Sequence, residues 1–123
     1  MGKVLKNCYN SCMGWKIIYE FGPEKPVEDF IKSLSTDSVS KVSRLITLLQ
    51  NHGNLLRMPY SKKLTNNIFE LRIKGSKTIR ILYAFGPEKT IYLLHGFKKK
   101  TQKTPVREIR LAEKRLRRYL TNI

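Results

Sequence analysis

The sequence predicts an α+β fold. We expect a twisted, mainly antiparallel sheet with two N-terminal helices on one face and a C-terminal helix near the opposite face or edge. Three observations support this prediction. Apolar residues recur at helical spacing over residues 26–49, apolar and polar residues alternate over residues 68–97, and a second helical stripe covers residues 106–120. Helices, then a strand meander, then a helix is an order typical of α+β proteins.

The length of 123 residues fits one domain. Residues 1–14 show no clear period and end in glycine, so we interpret them as an N-terminal extension to a single domain over residues 15–123. Cys8 and Cys12 are too few for a disulfide framework, and no second pair completes a zinc site. We therefore expect a reduced, cytoplasmic chain without cofactor or metal. We expect no export signal or membrane span either.

The charge indicates the kind of partner. The net charge is +16, from 25 Lys and Arg against 9 Asp and Glu. Between Lys98 and Arg118, ten basic residues stand against two acidic ones. Such an imbalance favours a polyanion as partner, above all a nucleic acid. A membrane surface is the weaker alternative.

The N-terminal half predicts one strand and two helices. Residues 15–21 form a strand that Gly22 and Pro23 end, and a first helix starts at Pro26. Cap residues over 35–38 start a second helix, which Gly53 ends. We expect residues 54–67 to form a basic loop whose Tyr60, Lys62 and Lys63 can lie against nucleic acid; lysines that are simply solvated are the equal alternative.

The C-terminal half predicts a three-strand meander and a helix. The strands cover residues 68–74, 77–85 and 90–97, with glycine-containing turns between them. Three lysines follow the last strand. Thr104 then suits an N-cap and Pro105 the first helical position.

Register arithmetic brings basic residues of the meander together. A four-residue turn over 86–89 places Arg80 opposite His95, and a three-residue turn over 75–77 places Arg72 opposite Arg80. These two turns align all three side chains on one face. A two-residue turn at Gly75 and Ser76 would instead put the two arginines on opposite faces.

These residue types fit RNA cleavage without a metal. Like charges directly opposite each other destabilise a sheet unless an anion lies between them, and arginine holds phosphate bidentately. Histidine can move protons near neutral pH, and lysines can stabilise developing charge. The bland alternative for His95 is a merely hydrogen-bonded strand-end histidine. The candidate catalytic residues are Arg72, Arg80, His95, Lys98 and Lys99; the candidate RNA-binding residues are Tyr60, Lys62, Lys63, Lys74, Lys100 and Lys103.

Several segments together resemble a known family. They are Pro26-Val27-Glu28-Asp29-Phe30, Phe69-Glu70-Leu71-Arg72, Arg80-Ile81-Leu82-Tyr83, and His95-Gly96-Phe97-Lys98-Lys99 running into Thr104-Pro105. With the order of elements, they resemble the phage-derived HigB-like toxins of the RelE/ParE superfamily. The similarity covers residues 15–120 and implies a RelE-like fold.

The resemblance also implies an activity and partners. It implies the toxin of a type II toxin–antitoxin pair, a ribosome-dependent endoribonuclease that cuts mRNA in the A site. An antitoxin, usually a HigA-like helix-turn-helix repressor, would hold it inactive. Arg72 and Arg80 match the family's basic strand positions at the scissile phosphate, and Lys98 and Lys99 match its basic positions after the last strand. Two alternatives remain: a ParE-like poison of DNA gyrase, and a passive basic module that binds RNA or DNA.

Overall fold

The computed structural model describes residues 14–19, 25–73, 78–100 and 103–121. Within these ranges the chain forms one five-stranded sheet and three α-helices, which confirms the α+β prediction. The strands are β1 (Lys16–Ile18), β2 (Ser61–Lys63), β3 (Phe69–Arg72), β4 (Ile79–Gly86) and β5 (Thr90–Lys98). The helices are α1 (Pro26–Lys32), α2 (Thr36–His52) and α3 (Val106–Thr121), with a 3₁₀ turn at Gly53–Leu55. Residues 1–13, with both cysteines, lie outside the described part.

The strand order in the sheet is β1-β5-β4-β3-β2. β1 runs parallel to β5, and the other neighbours are antiparallel. The parallel pair is possible because two helices and three strands separate β1 from β5 in the chain, which is more than the long connection that such a pair requires. Strand β2 lies in residues that we predicted as loop. Its three residues, Ser-Lys-Lys, contain no apolar alternation that could have indicated a strand.

Caps and glycines set the ends of the N-terminal helices as predicted. α1 starts at Pro26, and the Ser35 hydroxyl accepts a hydrogen bond from the Ser38 N–H at the start of α2. α2 ends at Gly53, whose φ of +53° favours glycine. A Cβ there would also lie 2.0 Å from the Trp15 indole. The turn and the packing of Trp15 therefore both require this glycine.

The sheet has a separate apolar core on each face. α1 and α2 cover one face, where Val27, Leu45 and Leu49 pack on Ile81 and Leu93. On the other face, α3 packs Ala112 and Leu116 against residues that include Leu82, Ala84 and Tyr92. The predicted placement of helices on both faces is confirmed. Gly96 allows the close approach of α1, because a Cβ would lie 2.3 Å from the Phe30 ring.

The register of the hairpin between β4 and β5 differs from our prediction. Gly86 pairs with Thr90, so the turn has three residues rather than four. Leu94 then forms a one-residue bulge, after which His95 pairs with Leu82 and Phe97 pairs with Arg80. The predicted direct opposition of Arg80 and His95 is wrong. Because the bulge reverses the alternation, however, His95 still lies on the Arg80 face of the sheet.

The pairing of β3 with β4 agrees with our prediction. Arg72 lies directly opposite Arg80, which excludes the alternative with the two arginines on opposite faces. The prediction of Thr104 as N-cap is wrong. The carbonyl of Pro105 accepts the first helical hydrogen bonds from Glu108 and Ile109, and the Thr104 hydroxyl instead donates to a carboxylate of the sheet, that of Glu70.

Candidate active site

A fully buried carboxylate, Glu70, lies at the centre of a group of cations on the α3 face of the sheet. Its Oε1 atom is 3.3 Å from Arg72 Nε, 3.8 Å from Arg80 Nε and 3.9 Å from Lys99 Nζ. We call these four residues the Glu70 cluster. A buried carboxylate costs free energy unless partners compensate it, and the three cations are those partners.

The strands themselves assemble the Glu70 cluster. Glu70 and Arg72 are two residues apart on β3 and so share a face, and Arg80 lies opposite Arg72 on β4. Lys99 comes two residues after Phe97, the partner of Arg80, and its N–H continues the ladder by donating to the Thr78 carbonyl at 2.6 Å. The alternation of side chains therefore brings residues from three strands to one point.

The cluster has more positive than negative charge and an unused donor. The Arg80 Nε is buried, and no atom of the described residues accepts a hydrogen bond from it; the Arg80 Nη1 donates to the Ile79 carbonyl at 2.9 Å. Burial lowers the pKa of Arg80, Glu70 opposes this shift, and Arg72 adds to it. This arrangement can receive a further anion.

Burial also lowers the pKa of Lys99. The negative charge of Glu70 opposes the shift, and Arg80, Arg72 and Lys62 each add to it. The Lys99 side chain is only 6% exposed, although an ammonium group normally stays in water. A lysine with a lowered pKa releases its proton more readily than an ordinary one.

His95 belongs to a second polar group, formed with α3. Its Nε2 lies 2.5 Å from Glu108 Oε1. Arg115 Nη1 lies 3.3 Å from His95 Nδ1 and donates to the carbonyl of the bulged Leu94 at 2.8 Å. The ring also stacks on Phe97, with centroids 5.4 Å apart. We call His95, Glu108 and Arg115 the His95 cluster.

Burial and Arg115 favour the neutral form of His95. A guanidinium only donates, so His95 Nδ1 must accept and the Nε2–H donates to Glu108. Burial lowers the pKa of His95, Glu108 opposes this shift, and Arg115 adds to it. Both ring nitrogens are thus engaged by α3.

The structure therefore brings together three of the five candidate catalytic residues, namely Arg72, Arg80 and Lys99. His95 lies on the same face but is bonded to α3. Lys98 pairs with Ile79, whose side chain faces the core under α1 and α2, so Lys98 projects from the opposite face to Lys99.

The candidate RNA-binding residues are spread more widely. Lys62 lies opposite Glu70 and is exposed on the face of the Glu70 cluster, whereas Lys63 lies opposite Phe69 and belongs to the other face. Tyr60 is half-buried against the core under α2. Lys100 and Lys103 are exposed between β5 and α3, and Lys74 lies outside the described residues.

Sequence reasoning gave no role in the site to Glu70, Thr104, Glu108 or Arg115. Glu70 could have been found, because Glu-Leu-Arg puts an acid and a base on one face of a strand and the register adds Arg80. The contacts of Glu108 and Arg115 depend on how α3 packs on the bulge of β5, which no local pattern indicates.

The described residues offer neither a metal site nor a membrane-spanning helix. No group of three or more His, Cys, Asp or Glu side chains in ranges 14–19, 25–73, 78–100 and 103–121 is arranged to hold a metal ion. No helix in these ranges has both the length and the apolarity that crossing a bilayer requires.

Three cations gathered at one point of the sheet can attract an anion. The comparison with protein families is more specific. The model of the family Phage derived protein Gp49-like (DUF891) matches residues 29–117, and the chain belongs to this family. It is a toxin-like family of the RelE/HigB type. The match includes every residue of the two clusters. A search of curated proteins finds no match.

Proposed function

We propose that this protein is the HigB-like toxin of a type II toxin–antitoxin pair and cleaves mRNA on the ribosome. Membership of a toxin-like family supports the assignment as a toxin. The observation that supports cleavage is the Glu70 cluster, in which the buried Arg80 Nε has no hydrogen-bond acceptor among the described residues and two further cations lie beside it.

In this proposal the two arginines bind the scissile phosphate. Arg72 and Arg80 lie opposite each other on neighbouring strands, so their guanidinium groups can reach one phosphate from two sides. When the 2′-hydroxyl attacks, the phosphorus becomes five-coordinate and gains a second negative charge. Preformed cations stabilise that charge without reorganisation, which is where most of the rate acceleration would come from.

In this proposal Lys99 donates the proton that the leaving 5′-oxygen needs. Burial lowers the pKa of its ammonium group, which makes it a better acid than a solvated lysine. Water takes the 2′-hydroxyl proton. His95 adds only modestly as a base, because its Nδ1 would first have to exchange the hydrogen bond from Arg115 for one from the substrate.

Some of the remaining candidates would bind the flanking RNA and the ribosome. Lys62 is on the face of the Glu70 cluster. Lys100 and Lys103 follow Lys99, a member of the cluster, in the sequence after β5. Lys63 and Lys98 project from the opposite face of the sheet and Tyr60 packs under α2, so we do not assign them to this surface. Lys74 lies outside the described residues. The cognate antitoxin, which we propose is a HigA-like helix-turn-helix protein, would inhibit by laying an acidic segment over the same cations.

The two alternatives predict different behaviour. A ParE-like gyrase poison has no use for a group that binds phosphate and donates protons, so the Glu70 cluster favours the nuclease. A passive basic module would lose affinity for nucleic acid steeply as the salt concentration rises. Its binding would change little when Arg80 alone is removed.

Induced expression in bacteria tests the proposal. The wild type, Arg80→Ala and Lys114→Ala are expressed, and primer extension maps new 5′ ends on a translated message. Lys114 is exposed on α3 and serves as a charge-matched control. We expect growth arrest and in-frame cuts with the wild type and the control, and neither with Arg80→Ala. Arrest with intact messages and a DNA-damage response would contradict the nuclease and favour gyrase; no arrest would leave a passive binder.

A further inference from the structure

Glu70 is the only acidic residue in the Glu70 cluster, and the proposed reaction does not yet use it. Its side chain is fully buried, so it cannot contact RNA. A carboxylate beside the arginines also weakens their attraction for a phosphate. Substrate binding therefore does not explain why Glu70 is in this position. Its contacts with other side chains must explain it.

The two carboxylate oxygens of Glu70 serve two different elements. Oε1 faces the three cations, of which Arg72 is close enough for a hydrogen bond at 3.3 Å. Oε2 accepts a hydrogen bond from Thr104, two residues before α3 begins. Glu70 thus ties cations from three strands to the segment that leads into the C-terminal helix.

From these contacts we propose that Glu70 is the positioning residue of the site: it holds Arg72, Arg80 and Lys99 in one array whose geometry fits the transition state. The proposal rests on the proposed nuclease function. The substrate phosphodiester carries one negative charge, whereas the phosphorane carries two, so the cations must stay close together to stabilise it.

The geometry of the array decides how well it stabilises the transition state. Only interactions that are stronger in the transition state than in the substrate raise turnover. Without Glu70 the three cations would attract any anion more strongly, but their mutual repulsion would push them out of the positions that suit the five-coordinate phosphorus. Glu70 therefore lowers the affinity for the substrate and keeps the geometry that the transition state needs.

The change Glu70→Gln tests this role, because it keeps the shape of the side chain and removes the charge. Glu113→Gln is the control. Glu113 is partly buried, its Oε2 accepts a hydrogen bond from Thr65 at 3.4 Å, and the substitution changes the net charge equally. Binding is measured by fluorescence anisotropy of a 2′-O-methyl RNA oligonucleotide, which cannot be cleaved. Cleavage is measured in single turnover on a translated message.

We expect Glu70→Gln to bind the oligonucleotide about threefold to tenfold more tightly and to cleave about a hundredfold more slowly. The control should change either quantity by less than about twofold. A structural role alone would weaken both binding and cleavage. Equal behaviour of the two variants, or weaker binding by Glu70→Gln, would overturn the proposal.

A further measurement separates this inference from the proposed function. In isotope-labelled protein, NMR titration gives the pKa of the Lys99 amine, which the Glu70 charge raises. We expect Glu70→Gln to lower the pKa of Lys99 further and the control to leave it unchanged. If the wild type fails to cut RNA, the nuclease is refuted, whereas an unchanged Lys99 pKa refutes the positioning role.

A second variant serves if Glu70→Gln does not fold. Glu70→Asp keeps the charge but shortens the side chain, so we expect binding equal to that of the wild type within about twofold and cleavage reduced about tenfold. Wild-type cleavage by Glu70→Asp would contradict a role in positioning.

Discussion

The Glu70 cluster and the His95 cluster lie on the same face of one sheet, yet they differ in how far their polar groups are satisfied. In the Glu70 cluster, three cations share one carboxylate, and the Arg80 Nε has no acceptor among the described residues. In the His95 cluster, imidazole, carboxylate and guanidinium bond to one another, and Arg115 also binds the free carbonyl of the bulge. The first can receive a ligand, whereas the second has both imidazole nitrogens engaged.

Residue type alone therefore does not assign a role to a polar side chain. From the sequence, the histidine was one of five candidate catalytic residues, and Glu70 had no role in the site. A fully bonded buried polar group mainly fixes packing, whereas an unused buried donor is costly and is kept where a ligand will satisfy it. We therefore expect substitutions in the Glu70 cluster to reduce cleavage and substitutions in the His95 cluster to reduce stability.

The largest effect should come from Arg80. We expect Arg80→Ala to reduce single-turnover cleavage about a thousandfold, because it removes a preformed cation from the phosphorane. Circular dichroism should still show the native fold. Arg80→Lys keeps the charge but loses the planar fork, so its cleavage rate should be intermediate. Cleavage by Arg80→Ala within about threefold of the wild type would show that the Glu70 cluster is not the site.

A smaller effect is expected from Lys99. Lys99→Met should cleave about a hundredfold more slowly, because it keeps the buried stem and removes the acid. Lys99→Arg should also be slow, because guanidinium does not release its proton near neutral pH. As pH rises, wild-type cleavage should fall at a lower pH than the usual lysine pKa of 10.5, since the acid must be protonated and burial lowers its pKa. Full activity of Lys99→Arg would mean that only charge is needed.

His95 should affect stability more than cleavage. We expect His95→Ala to lower the free energy of unfolding by about 1 to 3 kcal/mol, because it leaves Glu108 without its buried partner. Urea denaturation measures this loss. Cleavage, measured where the variant is folded, should fall less than about tenfold. Glu108→Ala should cost a similar amount, and the double variant less than the sum, because the two side chains form one pair.

The smallest expected effect is the pH dependence of stability that His95 causes. Burial lowers the folded-state pKa of His95 below 6.5 against the opposing effect of Glu108, and Arg115 adds to the lowering. The unfolded chain therefore takes up a proton near pH 6.5 while the folded chain does not. The free energy of unfolding should thus fall as pH drops below 6.5, and His95→Gln should reduce that slope. An unchanged slope would mean that other groups cause it.

Much of the fold follows from the sequence, because short-range signals determine it. Alternation indicated the meander, and Ser35 and Gly53 marked the ends of α2. The hairpin register was wrong for a physical reason. Leu93 and Leu94 are both apolar and fit either face, so nothing in the sequence marks Leu94 as the bulge. Strand β2 was missed because it owes its pairing to β3 and not to its own pattern.

Part of the site was also predicted from short-range signals. The pairing of Arg72 with Arg80 agrees with our prediction, and residues 74–77 between them lie outside the described part. The contacts of Glu70 with Lys99 and Thr104 join segments far apart in sequence, and those of His95 depend on α3. These long-range contacts decide which polar groups are satisfied, and so they could not be predicted from local patterns.

The most direct test of the account compares three proteins on one message in a purified translation system. Wild type, Lys99→Met and His95→Ala are added at equal folded concentration, and the new 5′ ends are mapped over time. We expect the same in-frame cuts from the wild type and His95→Ala, and almost none from Lys99→Met. Cuts that persist with Lys99→Met and disappear with folded His95→Ala would contradict this expectation, because catalysis would then depend on the His95 cluster.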